Sequence, residues 1–281
     1  MRKAIPMLAA LTLLVLAGAA GATECRYSAP RNVDLEATTL KSLLLNLGSA
    51  DAHVTGVAGL SRVEVRGTAC ASNQEWLKDL QLDTSRSGDS ATVTVRREDN
   101  DSIFSFFGFA RYAYMKLTVR VPPQLAVAIR SGSGDVVAET LASLDFHAGS
   151  GDLQADGITG TLALQVGSGD VEARHVGSVQ LSSTGSGDVT VAGISGDVHA
   201  DQSGSGNLHF SNVGGGVWVG SVGSGDVKLE DIGRDVQVGS IGSGDVAVDD
   251  VGGNLQVGAA GSGDVTYHGV RGTVHVPKDE D

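Results

Sequence analysis

Counting from Asp226, apolar residues fall at the first, third, sixth, tenth, twelfth and fifteenth positions: Val227, Leu229, Ile232, Val236, Val238 and Ile241. The following stretch repeats the pattern with Val246, Val248, Val251, Leu255, Val257 and Ala260. The preceding one reads Leu208, Phe210, Val213, Val217, Val219 and Val222. Each unit holds two apolar-x-apolar pairs of period two, which predicts two short strands that bury alternate side chains. A glycine near the seventh position and a closing Gly-Ser-Gly supply the corners between strands.

The Asp or Asn that follows each Gly-Ser-Gly stands at Asp135, Asp152, Asp170, Asp188, Asn207, Asp226, Asp245 and Asp264, with intervals of 17, 18, 18, 19, 19, 19 and 19 residues. A fixed period of this size is the signature of a solenoid. The two strands of a unit are nine residues apart, which gives each rung two faces. A hexapeptide left-handed helix would show threefold spacing instead. The expected fold is therefore all-β: a parallel β-helix of about 19-residue two-strand rungs, right-handed by the default of parallel crossovers.

Residues 126–276 carry the regular repeat, and residues 23–125 read as an N-terminal β region with degenerate rungs and a cap. Gly48-Ser49-Ala50-Asp51 and Ser87-Gly88-Asp89 look like worn corners two periods apart. Between them Asn73–Leu80 reads as a short capped helix, and residues 115–129 as two strands around Pro122-Pro123. Six aromatics crowd residues 104–114, and the segment is expected to plug the open N-terminal end. Residues 277–281 are a charged tail that blunts the last edge.

Residues 1–22 change the picture of where such a coil would work. A basic Met1-Arg2-Lys3, an apolar run of a dozen residues and Ala20-Gly21-Ala22 describe a secretory leader rather than a membrane span. Cleavage is expected between Ala22 and Thr23. No lipobox precedes Cys25, so a lipid anchor is not expected, and no later segment is long and apolar enough to span a bilayer. In an oxidising compartment Cys25 and Cys70, the two cysteines, are expected to form one disulfide. The location expected is the periplasm or the exterior. The formal charge of −13 argues against nucleic acid, whose phosphates need a basic face.

The corner motif is not a phosphate loop: Gly242-Ser243-Gly244 is followed by Asp245-Val246-Ala247 with no helix behind it, and it recurs eight times. Stacked carboxylates about 4.8 Å apart need either cations between them or backbone N–H donors. Asn207 keeps the acceptor and drops the charge, so a turn-capping ladder is expected rather than a string of calcium ions. Glu230, Asp231, Asp249 and Asp250, on adjacent rungs, are the best candidate for a bound calcium. No other cofactor is expected. The histidines fall in different columns and make no zinc site, and no catalytic constellation stands out. One outward column runs Ala163, Gln180, His199, Trp218, Gln237, Gln256, His275. Within it His199, Trp218 and Gln237 form a candidate ligand face, with an indole to stack on sugar C–H groups.

The leader, Ala69-Cys70-Ala71-Ser72, the stretch LTVRVPPQLAVAIRSGSGDV and the rungs that follow resemble the bacterial family of exported β-strand-repeat proteins labelled "putative adhesins", a domain of unknown function. The resemblance implies a β-solenoid on or near the cell envelope and brings no catalytic motif. The expected function is a non-enzymatic binding or structural surface whose partner is a glycan or an envelope protein. A calcium-binding solenoid is the first alternative, and a polysaccharide-acting β-helix enzyme the second.

Overall fold

The structure, a computed structural model, describes residues 25–97 and 112–277. The leader, most of the aromatic segment and the last four residues lie outside this range. The described chain is all-β apart from one turn of 3-10 helix at Glu75–Leu77. From Val189 onward each rung supplies one strand to each of two faces. The two rungs before it are single long strands, Leu153–Val166 and Val171–Thr184, that serve both faces. Strands pair in parallel with those one rung away. In the Asp226 rung Val227, Leu229, Ile232, Val236, Val238 and Ile241 are all buried. Their columns stack like on like, Leu208 on Val227 on Val246, so the core is a column of aliphatic side chains with Phe146 and Phe210 as its largest members. Where a hydroxyl replaces the aliphatic residue at the end of a rung, it is satisfied locally. Ser131, Thr184 and Ser203 are buried and donate to the carbonyls of Gly134, Gly187 and Gly206.

The N-terminal region is threaded differently from a run of successive rungs. Strands β1 (Tyr27–Glu36), β2 (Ser42–Gly48), β3 (Asp51–Gly56), β4 (Arg62–Ala71), β5 (Leu80–Ser87), β6 (Ser90–Arg97), β7 (Ala113–Val121), β8 (Ala126–Ser131) and β9 (Val136–Leu141) follow in chain order. The β2–β3 rung lies between two others. β2 pairs in parallel with both β6 and β8, and β3 with both β7 and β9. The chain therefore builds the β2–β3 rung, adds the β6–β7 rung on one side, and crosses back to build β8–β9 on the other. Beyond β7 and β6 the coil ends in antiparallel strands, β4 on β7, β1 on β4 and β5 on β6. This end is also where Trp76 and Leu77 pack onto the core. Glu64, buried in this cap, accepts from Arg62 and Arg120 at 2.9 Å each. The Arg62 bond, with Arg120 beside it, holds the Glu64 carboxyl below its usual range.

Two expectations for this region need correction. Gly48–Asp51 is a true corner, but Ser87 ends β5, and Gly88-Asp89 is the two-residue turn of the β5–β6 hairpin, with Gly88 at φ +60°. A glycine that supplies positive φ is what such a turn needs, and at sequence level it is indistinguishable from a worn solenoid corner. The helix expected over Asn73–Leu80 is only the 3-10 turn, with Asn73 Oδ1 accepting from the Glu75 N–H at 3.0 Å. Eight residues held between two strands are too few to repay helix nucleation. Cys25 and Cys70 are joined, their Cα atoms 5.4 Å apart. Tyr112 Oη accepts from the Arg26 N–H at 3.1 Å beside them. The aromatic expectation for residues 104–111 falls outside the described residues.

The corner aspartates form a continuous ladder, with a donor different from that of an ordinary Asx turn. Each carboxylate accepts the backbone N–H of the equivalent residue in the next rung. The bonds run from Asp152 N to Asp135, Asp170 to Asp152, Asp188 to Asp170, Asn207 to Asp188, Asp226 to Asn207, Asp245 to Asp226 and Asp264 to Asp245, at 2.8–3.1 Å. Asp51 begins it by accepting from Asp135 N at 3.3 Å, across the long excursion of the chain. The opposite corner carries a shorter ladder that sequence reading missed. There Asp197 accepts from Gly216, Asp235 from Asn254 and Asn254 from Thr273, at 2.7–2.9 Å. Gly216, with no side chain, interrupts it. Changing Asp226 to Asn should leave the melting temperature nearly unchanged, because the acceptor for Asp245 N–H survives. Asp226→Ala removes it and should cost about 1–2 kcal/mol. Equal denaturation midpoints for the two variants would show that the ladder does not stabilise the stack.

Candidate binding face

A second conformational signature sits five residues after each corner Asp. Thr140, His175, Asn212, Asp231 and Asp250 have φ between +53° and +58°, and Gly157, Gly193 and Gly269 occupy the same place at +67° to +70°. Every rung thus needs a left-handed residue here, which explains the run of Gly, Asn and Asp. It also gives Asp231 and Asp250, two of the candidate calcium ligands, a backbone reason to be there. Their neighbours Glu230 and Asp249 are opposite one another on adjacent strands. Glu230 is already engaged, 2.9 Å from Lys228 Nζ and 2.6 Å from His209 Nε2. Lys228 first, then His209, lower its carboxyl pKa. Among the described residues no three His, Cys, Asp or Glu side chains group as a metal site.

On the other face the strand register puts Gln180 opposite His199, His199 opposite Trp218, Trp218 opposite Gln237 and Gln237 opposite Gln256. The candidate ligand residues therefore do stand side by side. The two rings are stacked, centroids 3.9 Å apart and planes 10° from parallel. The indole therefore stands up from the sheet with His199 against one face, rather than lying open as a platform. Its far edge reaches over Gly220, where an added Cβ would come within 2.9 Å of the ring. His199 is in turn fixed by Asp201, Nε2 to Oδ1 2.9 Å.

Beside this stack a shallow groove of about 280 Å³ is lined by His147, Gln180, Ser182, His199 and Asp201, among others. His147 lies 2.9 Å from Asp145, which Arg130 also holds at 3.0 Å. The groove thus presents two His–Asp pairs, an amide and a hydroxyl, with the edge of Trp218 one rung beyond. Sequence reading found Gln180 and His199 but not His147, Ser182 or Asp201. Counting eleven from Asp135 reaches Phe146, which is buried, whereas pairing puts Asp145 opposite Ala163. The first regular rung is 17 residues long, so the count slips by one face. Aligning rungs on their V-x-V pairs instead of on the Asp would have put Asp145, which lies 2.9 Å from His147, in the column.

The model of the Toastrack DUF4097 family matches residues 62–215, more than half of the chain. The chain belongs to that family. The match runs from β4 through the rungs that build the groove. No curated protein matches the sequence. Among solved structures, a "putative lipid binding protein" from Parabacteroides distasonis is similar in fold. Its TM-score is 0.51 and its identity 14%, over 87% of this chain and 96% of that one. A "putative adhesin" from the same organism has TM-score 0.43 and 11% identity, over 89% and 97%. A "putative cell adhesion protein" from Clostridium sporogenes has TM-score 0.31 and 14% identity, over 89% and 100%. Among the described residues no helix is long and apolar enough to cross a membrane.

Proposed function

We propose that this Toastrack protein is an exported, non-enzymatic binding module of the bacterial envelope, which holds a neutral glycan along the face of Gln180, His199 and Trp218. The observation that supports it is the stacked His199–Trp218 pair at the rim of a groove whose lining donates and accepts hydrogen bonds. Sugars offer an apolar C–H face and a rim of hydroxyls. The aromatic surface of the His199–Trp218 stack suits the first, and the His–Asp pairs and the amide hydrogen-bond the second. The leader-like residues 1–22 support export, and the formal charge of −13 disfavours phosphate-rich ligands. A glycan array on the purified protein tests the reading. Trp218→Ala should abolish binding while the melting temperature moves by only a few degrees, since Trp218 is partly exposed. Binding undiminished in that variant removes the face from consideration. Hydrolysis of the bound glycan would make the protein an enzyme instead. Vesicles in a parallel arm address the lipid binding for which the Parabacteroides protein is named.

No resident cation is proposed. The ladder carboxylates already accept backbone N–H groups, so EDTA should leave the melting curve unchanged. A drop of ten degrees or so on chelation would instead support the calcium-dependent solenoid.

A further inference from the structure

The two ends of the coil are finished differently. At the N-terminal end the antiparallel strands β1, β4 and β5 close the stack. At the other end the last rung, Val265–Val270 and Val274–His275, leaves its inward residues open. Tyr267 is 42% exposed and Val274 36%, although their equivalents one rung earlier, Val248 and Leu255, are buried. The main chain is open as well. Val246 N–H donates to the Asp264 carbonyl and Leu255 N–H to that of Thr273. The corresponding N–H groups of Val265 and Val274 point past the last rung, where no described residue receives them. Asp264, the last step of the ladder, likewise receives no N–H among the described residues. The four residues that follow Pro277 in this sequence, Lys278-Asp279-Glu280-Asp281, are all charged.

We propose that this end is a dimerisation surface and that its occupant is a second copy of the chain, docked tail to tail. A two-fold axis perpendicular to both sheet faces would lay each edge strand antiparallel against its own copy. It would pair the open backbone groups and bury Tyr267 and Val274 of both copies in one continuous core. Antiparallel closure suits these columns, because β4 docks on β7 in that way at the opposite end. Charge favours the same arrangement. The axis exchanges the two corners, so the acidic corner at Asp264 of each copy meets the Arg271 corner of the other. A head-to-tail stack would have to pass the antiparallel cap.

Sedimentation of the purified protein over a concentration series tests this, and a dimer is expected. Tyr267→Asp should give a monomer with an unchanged β-sheet circular dichroism spectrum. Arg271→Asp should weaken the dimer about tenfold, and Asp264→Arg in the same chain should restore it, which fraying of the last rung could not do. Tyr267→Cys should yield an oxidised covalent dimer, because only a two-fold contact brings a residue against its own copy. A monomer at every concentration overturns the proposal. So does a dimer unmoved by Tyr267→Asp, or one in which Tyr267→Cys fails to cross-link.

Discussion

Val238→Asp should abolish the cooperative fold of the rungs around it. Val238 is fully buried and pairs with Val219 on one side and Val257 on the other. A carboxylate there would face only aliphatic side chains. Burying an unpaired charge is so unfavourable that the rung would open instead. We expect a loss of at least about 4 kcal/mol, the exceptional end of single-residue effects. Each rung touches only its neighbours, so the opening should spread along the stack rather than abolish all structure. Far-UV circular dichroism and hydrogen exchange should show lost protection from Val217 to Val257 and retained protection near β2 and β8. Gln256→Asp, outward and exposed, is the control and should melt like the parent. Equal damage from both would contradict the inward–outward assignment. Lys228 also alternates outward but is a poor control. Its ammonium is 2.9 Å from Glu230, so Lys228→Asp would set two carboxylates together.

That difference between Gln256 and Lys228 marks what could be read before the structure was known. Alternation told which residues face the core, because the two-residue repeat of a strand leaves no other place for Val236 or Val238. It could not tell which outward residues engage one another across rungs, since that depends on register. In the late rungs, 19 residues long, register followed from simple counting, and the His199–Trp218–Gln237 column was correct. The 17-residue rung at Asp135 broke the count, and Asp145, the acid beside His147, was lost with it. The left-handed position five residues after each corner was readable in principle, since Gly157, Gly193, Asn212 and Gly269 share it. Asp231 and Asp250 drew attention as possible ligands because their charge was considered without that column. The placement of β2–β3 between two later rungs had no local signal. The clue, Asp51 continuing the ladder into Asp135 across 84 residues, exists only in three dimensions.

The glycines of the corners carry the other large expected effect. Gly187→Ala should destabilise the coil by about 3 kcal/mol or more, at or beyond the upper end of overpacking costs. The second glycine of every corner but the last is buried, and its missing side chain is where the rung below passes. A Cβ on Gly187 would stand 1.9 Å from the Gly169 carbonyl oxygen, and on Gly206 the same distance from that of Gly187. Real Cβ contacts essentially never fall under 3.0 Å, so two rungs would have to part by more than about 1 Å. The atom in the way is backbone and cannot rotate aside. Parting the rungs would also stretch the bond from Asp188 N to Asp170, now 2.9 Å, and so open the ladder. Ser186→Ala, one residue earlier and exposed, should be silent. Position along the coil should matter as well. A Cβ on Gly263 meets Gly244 O at 1.8 Å, yet within a single chain the last rung has a neighbour on one side only. In the monomeric Tyr267→Asp background Gly263→Ala should therefore fray that rung and lower the melting temperature less than Gly187→Ala does there, where both flanking stacks are disturbed. If Gly187→Ala melted like the parent, the close approach of backbones at the corners would not be what selects glycine there. If Gly263→Ala were equally damaging, the coil would not be the chain of nearest-neighbour contacts that its pairing describes.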